Sequence, residues 1–211
     1  LRSLFIRQAE PRRGSSILQN MTARTTLILG GARSGKSRRA QALAESLGPR
    51  RVFVATAEPF DAEMRDRIAR HRDERGEGWR TVEAPLELPA ALETLVREAP
   101  GSEPAASANG PDALLVDCLT LWLSNLMLAE RDVEAAADRL IGALEVPPLP
   151  VVLVSNEVGS GLVPETPLGR RFRDAQGRLN QRVADACERV ELVVAGQPLT
   201  IRDEAASRTT T

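Results

Sequence analysis

An α/β domain with a mostly parallel sheet is the fold class this sequence predicts, and three observations predict it. Strand-like and helix-like segments alternate from Thr25 onward, the pattern of parallel strands joined by helical crossovers. The octet GGARSGKS, Gly30 to Ser37, stands between an apolar β-like run and an amphipathic helix. At 211 residues and 42% hydrophobic, the chain is long enough for one such domain with a substantial core and short for two.

Each element follows from local pattern. A strand at 25–29 leads into the octet. Ser37 to Leu47 then places Ala40, Leu43, Ala44 and Leu47 on one helical face, and Gly48-Pro49 stops it. RVFVATA (51–57) reads as a buried strand. Asp61 to Gly76 is a highly charged helix with Asp61 as its cap. WRTVEA (79–84) is a short strand, and residues 85–99 form a helix broken near Pro89. Pro, Gly, Ser and Ala make 100–112 a surface loop. ALLVD (113–117) is a strand that turns helical after Cys118, followed by a helix at 131–145. VVLVSNEVG (151–159) is a buried strand with a loop at its end, 167–190 a long helix, and ELVVAGQPLTI (191–201) a final strand. Residues 1–22 read as a disordered extension, 23–202 as the single domain and 203–211 as a polar tail.

Charge and cysteine usage narrow the function. With 28 basic against 29 acidic residues, the chain has no electrostatic footprint for nucleic acid or a membrane surface. Cys118 and Cys187 stand alone, unlike a disulfide framework or a zinc site, so a reducing cytoplasm is expected. No apolar run reaches the roughly 18 residues of a membrane span, and no secretory signal is visible.

The octet fits G-x-x-x-x-G-K-[ST] with Gly30, Gly35, Lys36 and Ser37 at its fixed positions. Glycines let such a loop wrap so that backbone N–H groups point at phosphate oxygens, and the following helix adds the positive end of its dipole. Lys36 is the chain's only lysine. A compact ammonium on a flexible stem suits the β- and γ-phosphates better than a planar guanidinium does. The Ser37 hydroxyl is expected to ligate Mg²⁺. Chance alone matches four such positions in about one chain per hundred of this length, so the strand–loop–helix context is what confirms a nucleotide site.

An Mg²⁺-holding acid belongs at the end of a neighbouring buried strand. Asp117 in ALLVD fits, although an Asp there equally reads as the cap of the next helix; Glu157 is the reserve candidate. The stretch Asn156-Glu157-Val158-Gly159 lacks the Lys and Asp of a guanine-reading N-K-x-D element, which disfavours a signalling GTPase and leaves small-molecule kinases. His71, the only histidine, shares a helical face with Arg67 and Arg75. It reads either as part of a solvated charged helix or as a nucleophilic imidazole flanked by phosphate-holding arginines. Spacing does not choose between the two.

Several motifs in order, GGARSGKSR, VFVATAEPFDAEMRDRIARHRDERGEGWRTVEAP, LLVDCLTLWLSN, VVLVSNEVGSGLVPETPLGRRFRDAQGRLNQRVA and ELVVAGQPLTI, closely resemble the bifunctional adenosylcobinamide kinase/adenosylcobinamide-phosphate guanylyltransferase family of cobalamin synthesis. The resemblance runs from about Thr25 to Ile201. It implies a RecA-like P-loop NTPase sheet, a homotrimer, and two reactions using ATP or GTP with Mg²⁺: phosphorylation of adenosylcobinamide, then transfer of GMP from GTP through a covalent phosphoramidate on His71. It also implies nucleotide contacts at Gly30, Gly31, Ala32, Arg33, Ser34, Gly35, Lys36 and Ser37, at Ala55, Thr56 and Ala57, at Arg72, Asp73, Glu74 and Arg75, at Glu83 and at Asp117. Asn156 to Glu165 and Arg170, Arg171 and Arg173 look like family features without an individual role. A P-loop kinase lacking the guanylyl transfer, and a GTP-binding regulator that transfers nothing, are the alternatives.

Overall fold

The computed structural model describes residues 23–58, 75–100 and 110–207. The predicted helix at 61–76, with His71, Arg72, Asp73 and Glu74, lies almost wholly outside them, as do the 1–22 extension and most of the 100–112 loop. In chain order the elements are β1 (Thr25–Gly30), α1 (Lys36–Leu47), β2 (Arg51–Ala55), β3 (Trp79–Glu83), α2 (Leu88–Arg97), β4 (Ala113–Asp117) and α3 (Leu119–Leu128). They continue with α4 (Val133–Leu144), β5 (Val151–Asn156), α5 (Pro167–Ala186), β6 (Arg189–Val194), β7 (Gln197–Asp203) and the four-residue α6 (Glu204–Ser207).

Among the described residues the seven strands form one sheet in the order β3-β2-β4-β5-β1-β6-β7. Every pairing is parallel except β6 with β7. The central strands are near-continuous apolar runs because both faces are covered. Among the described residues α1 is the helix on one face, where its small residues Ala40 and Ala44 let it pack closely on Ile28, Leu115, Val152 and Val154. The larger core sits on the other face, where Leu88, Leu92, Trp122, Leu140 and Leu179 of α2 to α5 cover Leu27, Leu114 and Leu153. All strand C-termini but that of β7 emerge on one edge, the edge at which folds of this class bind ligands.

Four sequence expectations are corrected. Pro89 does not break a helix; it sits in the first turn of α2, where its missing N–H has no intrahelical partner to lose. The long helix ends at Ala186 and β6 begins at Arg189. The single final strand is a hairpin, because Ala195 (φ 50°) and Gly196 (φ 79°) both turn left-handed, the geometry of a tight two-residue turn. The reading of the C-terminus as a polar tail fails up to Ser207: β7 runs to Asp203, and Ala205 of α6 is buried.

Two charge clusters fasten the sheet to its connections. Asp112, just before β4, takes the Arg50 side chain at 2.6 Å and the Arg50 N–H at 2.8 Å, and hydrogen bonding to Arg50 holds its carboxyl below the usual range. Glu191 on β6 is fully buried and receives Arg39 of α1 through two bonds of 2.8 Å, with Arg189 also at 2.8 Å. Burial pushes the Glu191 carboxyl up, but the two guanidinium groups outweigh it and leave the group ionising below its ordinary 4.5. The stability this supplies is therefore fully present above that value and lost as the pH falls through the lowered one.

Glu191→Ala, which strands two guanidinium groups around a buried gap, is expected to lower stability by about 3 kcal/mol in urea denaturation. Glu191→Gln should flatten the loss of stability on acidification below the ordinary carboxylate value. An unchanged acid limb in that variant would contradict the pair's role.

Candidate functional site

The phosphate loop begins where β1 stops. Gly30 must be glycine, since a Cβ there would lie 2.4 Å from the Ser34 hydroxyl and 2.8 Å from the Val193 carbonyl. Arg33 is left-handed at φ 57°, and Gly35 at φ 97° is the N-cap of α1. Its own side chain cannot cap the helix, so the first amides of α1 have no side-chain acceptor and face the loop. Several bonds hold the curl. The Ser34 N–H donates to the Gly31 carbonyl at 3.3 Å, and the Gly196 N–H donates to the Ser34 carbonyl at 2.8 Å. On the other flank the Glu157 N–H donates to the Gly30 carbonyl at 3.1 Å. The Lys36 ammonium donates to the Gly31 carbonyl at 3.2 Å, so it already lies across the loop.

Ala55, Glu83 and Asp117 form one row across β3, β2 and β4. Asp117 is not on the strand beside β1. β5 lies between them, with Asp117 opposite Val154 and Gly30 opposite Asn156. The capping reading of Asp117 is not what the structure has, because the N-cap of α3 is Cys118, with no side-chain cap bond. Burial pushes the Cys118 thiol up to about 11, Asp117 adds to the rise, and Lys36 opposes it.

Thr56, which the resemblance counts among the nucleotide contacts, is fully buried. Its hydroxyl accepts from the Cys118 N–H at 2.8 Å and donates to the Cys118 carbonyl at 2.7 Å, while its carbonyl accepts from the Asn125 amide at 2.8 Å. In this arrangement Thr56 locks the β2 and β4 ends together, and the peptide joining Asp117 to Cys118 in that lock is cis. Arg75 lies buried with its guanidinium 3.7 Å over the Phe53 ring. Glu83 is exposed at the sheet edge. Among the described residues no group of three His, Cys, Asp or Glu side chains could hold a metal.

Sequence reasoning missed the support beneath β5. Thr120 accepts from the Asn156 N–H at 2.8 Å, and the Asn180 amide donates to the Asn156 carbonyl at 3.0 Å. Buried Ser155, Gln176 and Asn180 bond to one another at 2.7 to 3.0 Å. The only signal was the run of amides along α5. Arg170 donates to the Pro164 and Glu165 carbonyls at 3.0 and 2.6 Å, which ties the β5–α5 loop to α5. Arg171 instead lines a recess of about 740 Å³ among α3, α4 and α5, on the face opposite α1 and away from the phosphate loop.

A phosphate loop between β1 and α1, with the other strand ends arrayed beside it, defines a P-loop nucleotide-binding α/β protein. The comparisons with known proteins narrow this. The family model for cobinamide kinase/cobinamide phosphate guanyltransferase matches residues 26–201. A bifunctional adenosylcobalamin biosynthesis protein, CobP, of Pseudomonas aeruginosa is 44% identical over 84% of this chain and 97% of its own. The CobU proteins of Salmonella typhimurium and Escherichia coli are 43% and 38% identical, each over 81% of this chain and 95% of theirs. The chain belongs to the cobinamide kinase/cobinamide phosphate guanyltransferase family. Among solved structures the RadB recombinase covers 80% of this chain and 73% of its own at 16% identity and a TM-score of 0.47. Among the described residues no helix is long and apolar enough to cross a membrane.

Burial raises the Cys187 thiol to about 12, a rise of the same cause as that of Cys118 to about 11. Both thiols are expected to resist a neutral-pH thiol reagent in the folded protein and to react together on unfolding. Rapid labelling of either in the native state would show that the β4 corner or the α5–β6 junction opens.

Proposed function

We propose that this chain phosphorylates adenosylcobinamide with a nucleoside triphosphate and then transfers GMP from GTP onto the new phosphate, giving adenosylcobinamide-GDP and pyrophosphate. The observation that carries the reading is the phosphate loop, curled at the sheet edge with Lys36 across it, in a chain of this family.

In the first reaction the acceptor hydroxyl attacks the γ-phosphorus, its proton leaves, and the nucleoside diphosphate departs. Lys36 and the loop amides meet the charge that develops on the phosphate oxygens. In the second, an imidazole nitrogen of His71 attacks the α-phosphorus of GTP and pyrophosphate leaves. A phosphate oxygen of the acceptor then attacks the phosphoramidate and releases the imidazole. Arg72 holds phosphate charge near His71, Arg75 adds positive charge from its buried place over the Phe53 ring, and Glu83 accepts from a guanine edge or a ribose hydroxyl. Ala55 and Ala57 frame the nucleotide at the β2 end, Thr56 backing them from below. The hydroxyl of Ser37 and the carboxylate of Asp117 are hard oxygen donors that fit Mg²⁺, which when bound neutralises triphosphate charge. The acting species is a homotrimer.

α-Labelled GTP is expected to leave acid-labile, alkali-stable label on the protein and none on His71→Asn. Lys36→Ala should lose about 3 kcal/mol of transition-state stabilisation in the kinase step. An unlabelled wild type that still phosphorylates cobinamide would reduce the protein to a kinase. Tight GTP binding with neither reaction would make it a regulator.

A further inference from the structure

The tip of the β6–β7 hairpin touches the phosphate loop, and no motif reading assigns it a task. The Gly196 N–H donates to the Ser34 carbonyl at 2.8 Å. A peptide unit is planar and trans, so its C=O and N–H point opposite ways. With the Ser34 carbonyl held toward the hairpin, the N–H of Gly35 in the same peptide unit is turned to the other side, away from the hairpin and into the curl of the loop. The two backbones also pass close together at Gly35, where an added Cβ would lie 3.2 Å from the Gly196 Cα. Gly196 itself is left-handed at φ 79°, a conformation that β-branched residues avoid and asparagine tolerates.

We propose that Gly196 is a positioning residue for the triphosphate: its N–H aims the Gly35 amide at the phosphates from outside the octet. The inference rests on the phosphate loop binding a nucleotide, as argued above. Three observations converge on it. The bond runs from a strand tip to a loop otherwise held by its own residues and by β5. The tip has a defined place, because Ala195 and Gly196 form a turn between paired strands whose register brings Val194 opposite Gln197. The same strand end also crowds the loop from below, where the Val193 carbonyl excludes a Cβ on Gly30. The hairpin therefore acts as a template against which the loop is folded before any ligand arrives, and preorganised amides of this kind need no rearrangement on binding.

The test compares GTP affinity, by equilibrium titration, in the full-length wild type, Gly196→Val and Gly196→Asn, with urea midpoints as the folding control. Valine at a left-handed position is expected to swing the turn away and weaken GTP at least tenfold. Asparagine, which keeps both the conformation and the N–H, should stay within about twofold of wild type. If Gly196→Val does not fold, one glycine inserted between Ala195 and Gly196 slides the N–H off Ser34 and is expected to give the same loss. A folded valine or insertion variant that binds GTP like wild type overturns the inference. Equal losses in the asparagine and valine variants overturn it too, because the N–H would then be irrelevant. Absence of GTP binding by the wild type would instead overturn the nucleotide reading itself, and this inference with it.

Discussion

The constraint on which the rest of the structure depends is the curl of the loop from Gly30 to Gly35. Backbone amides attract phosphate only if they converge, and convergence of like dipoles is unfavourable until an anion arrives. The loop must therefore be held from outside. The first residue after β5 holds it through the Glu157 N–H, the hairpin through the Gly196 N–H, and Lys36 crosses it from within. Below the loop, the Arg39–Glu191–Arg189 cluster fixes α1 against β6, so the helix whose first turn closes the cradle cannot slide along the sheet.

The far side of the site is governed by the ends of β4 and β5. These strands carry the acidic and amide groups nearest the phosphate loop, and both ends are clamped by buried polar side chains. Thr56 takes both polar groups of Cys118, whereas Thr120 and Asn180 take those of Asn156. Buried polar side chains that hydrogen-bond to main chain restrict the arrangements that chain can adopt. Placing two such clamps under adjacent strand ends is consistent with an edge that must present Asp117 and Glu157 in fixed positions.

Much of this was legible in the sequence, for physical reasons. The central strands are apolar on both faces and announce themselves, and the octet is marked by glycines the fold requires, Gly30 because a Cβ would meet the Val193 carbonyl at 2.8 Å and Gly35 because its φ is 97°. The Asp117 strand was found for the same reason as β1. What stayed hidden depended on contacts between distant residues. Ala195-Gly196 is a weak turn signal inside an apolar run, so the hairpin read as one strand and its contact with Ser34 had no trace. Pro89 looked like a breaker because its place within the helix was unknown. The family resemblance counts Thr56 among the nucleotide contacts, and no local pattern shows that its hydroxyl pairs with a residue 62 positions away. His71 was visible only as a lone histidine among arginines, and the family resemblance, not its spacing, chose its role.

Amide hydrogen exchange with and without GTP tests the preformed cradle most directly. Protection is predicted at the backbone amides of residues 31–37 on adding GTP and not on adding guanosine, since the phosphates are what the amides meet. Equal protection by the nucleoside, or none across those residues at saturating GTP, would contradict a site built on main-chain capture of phosphate.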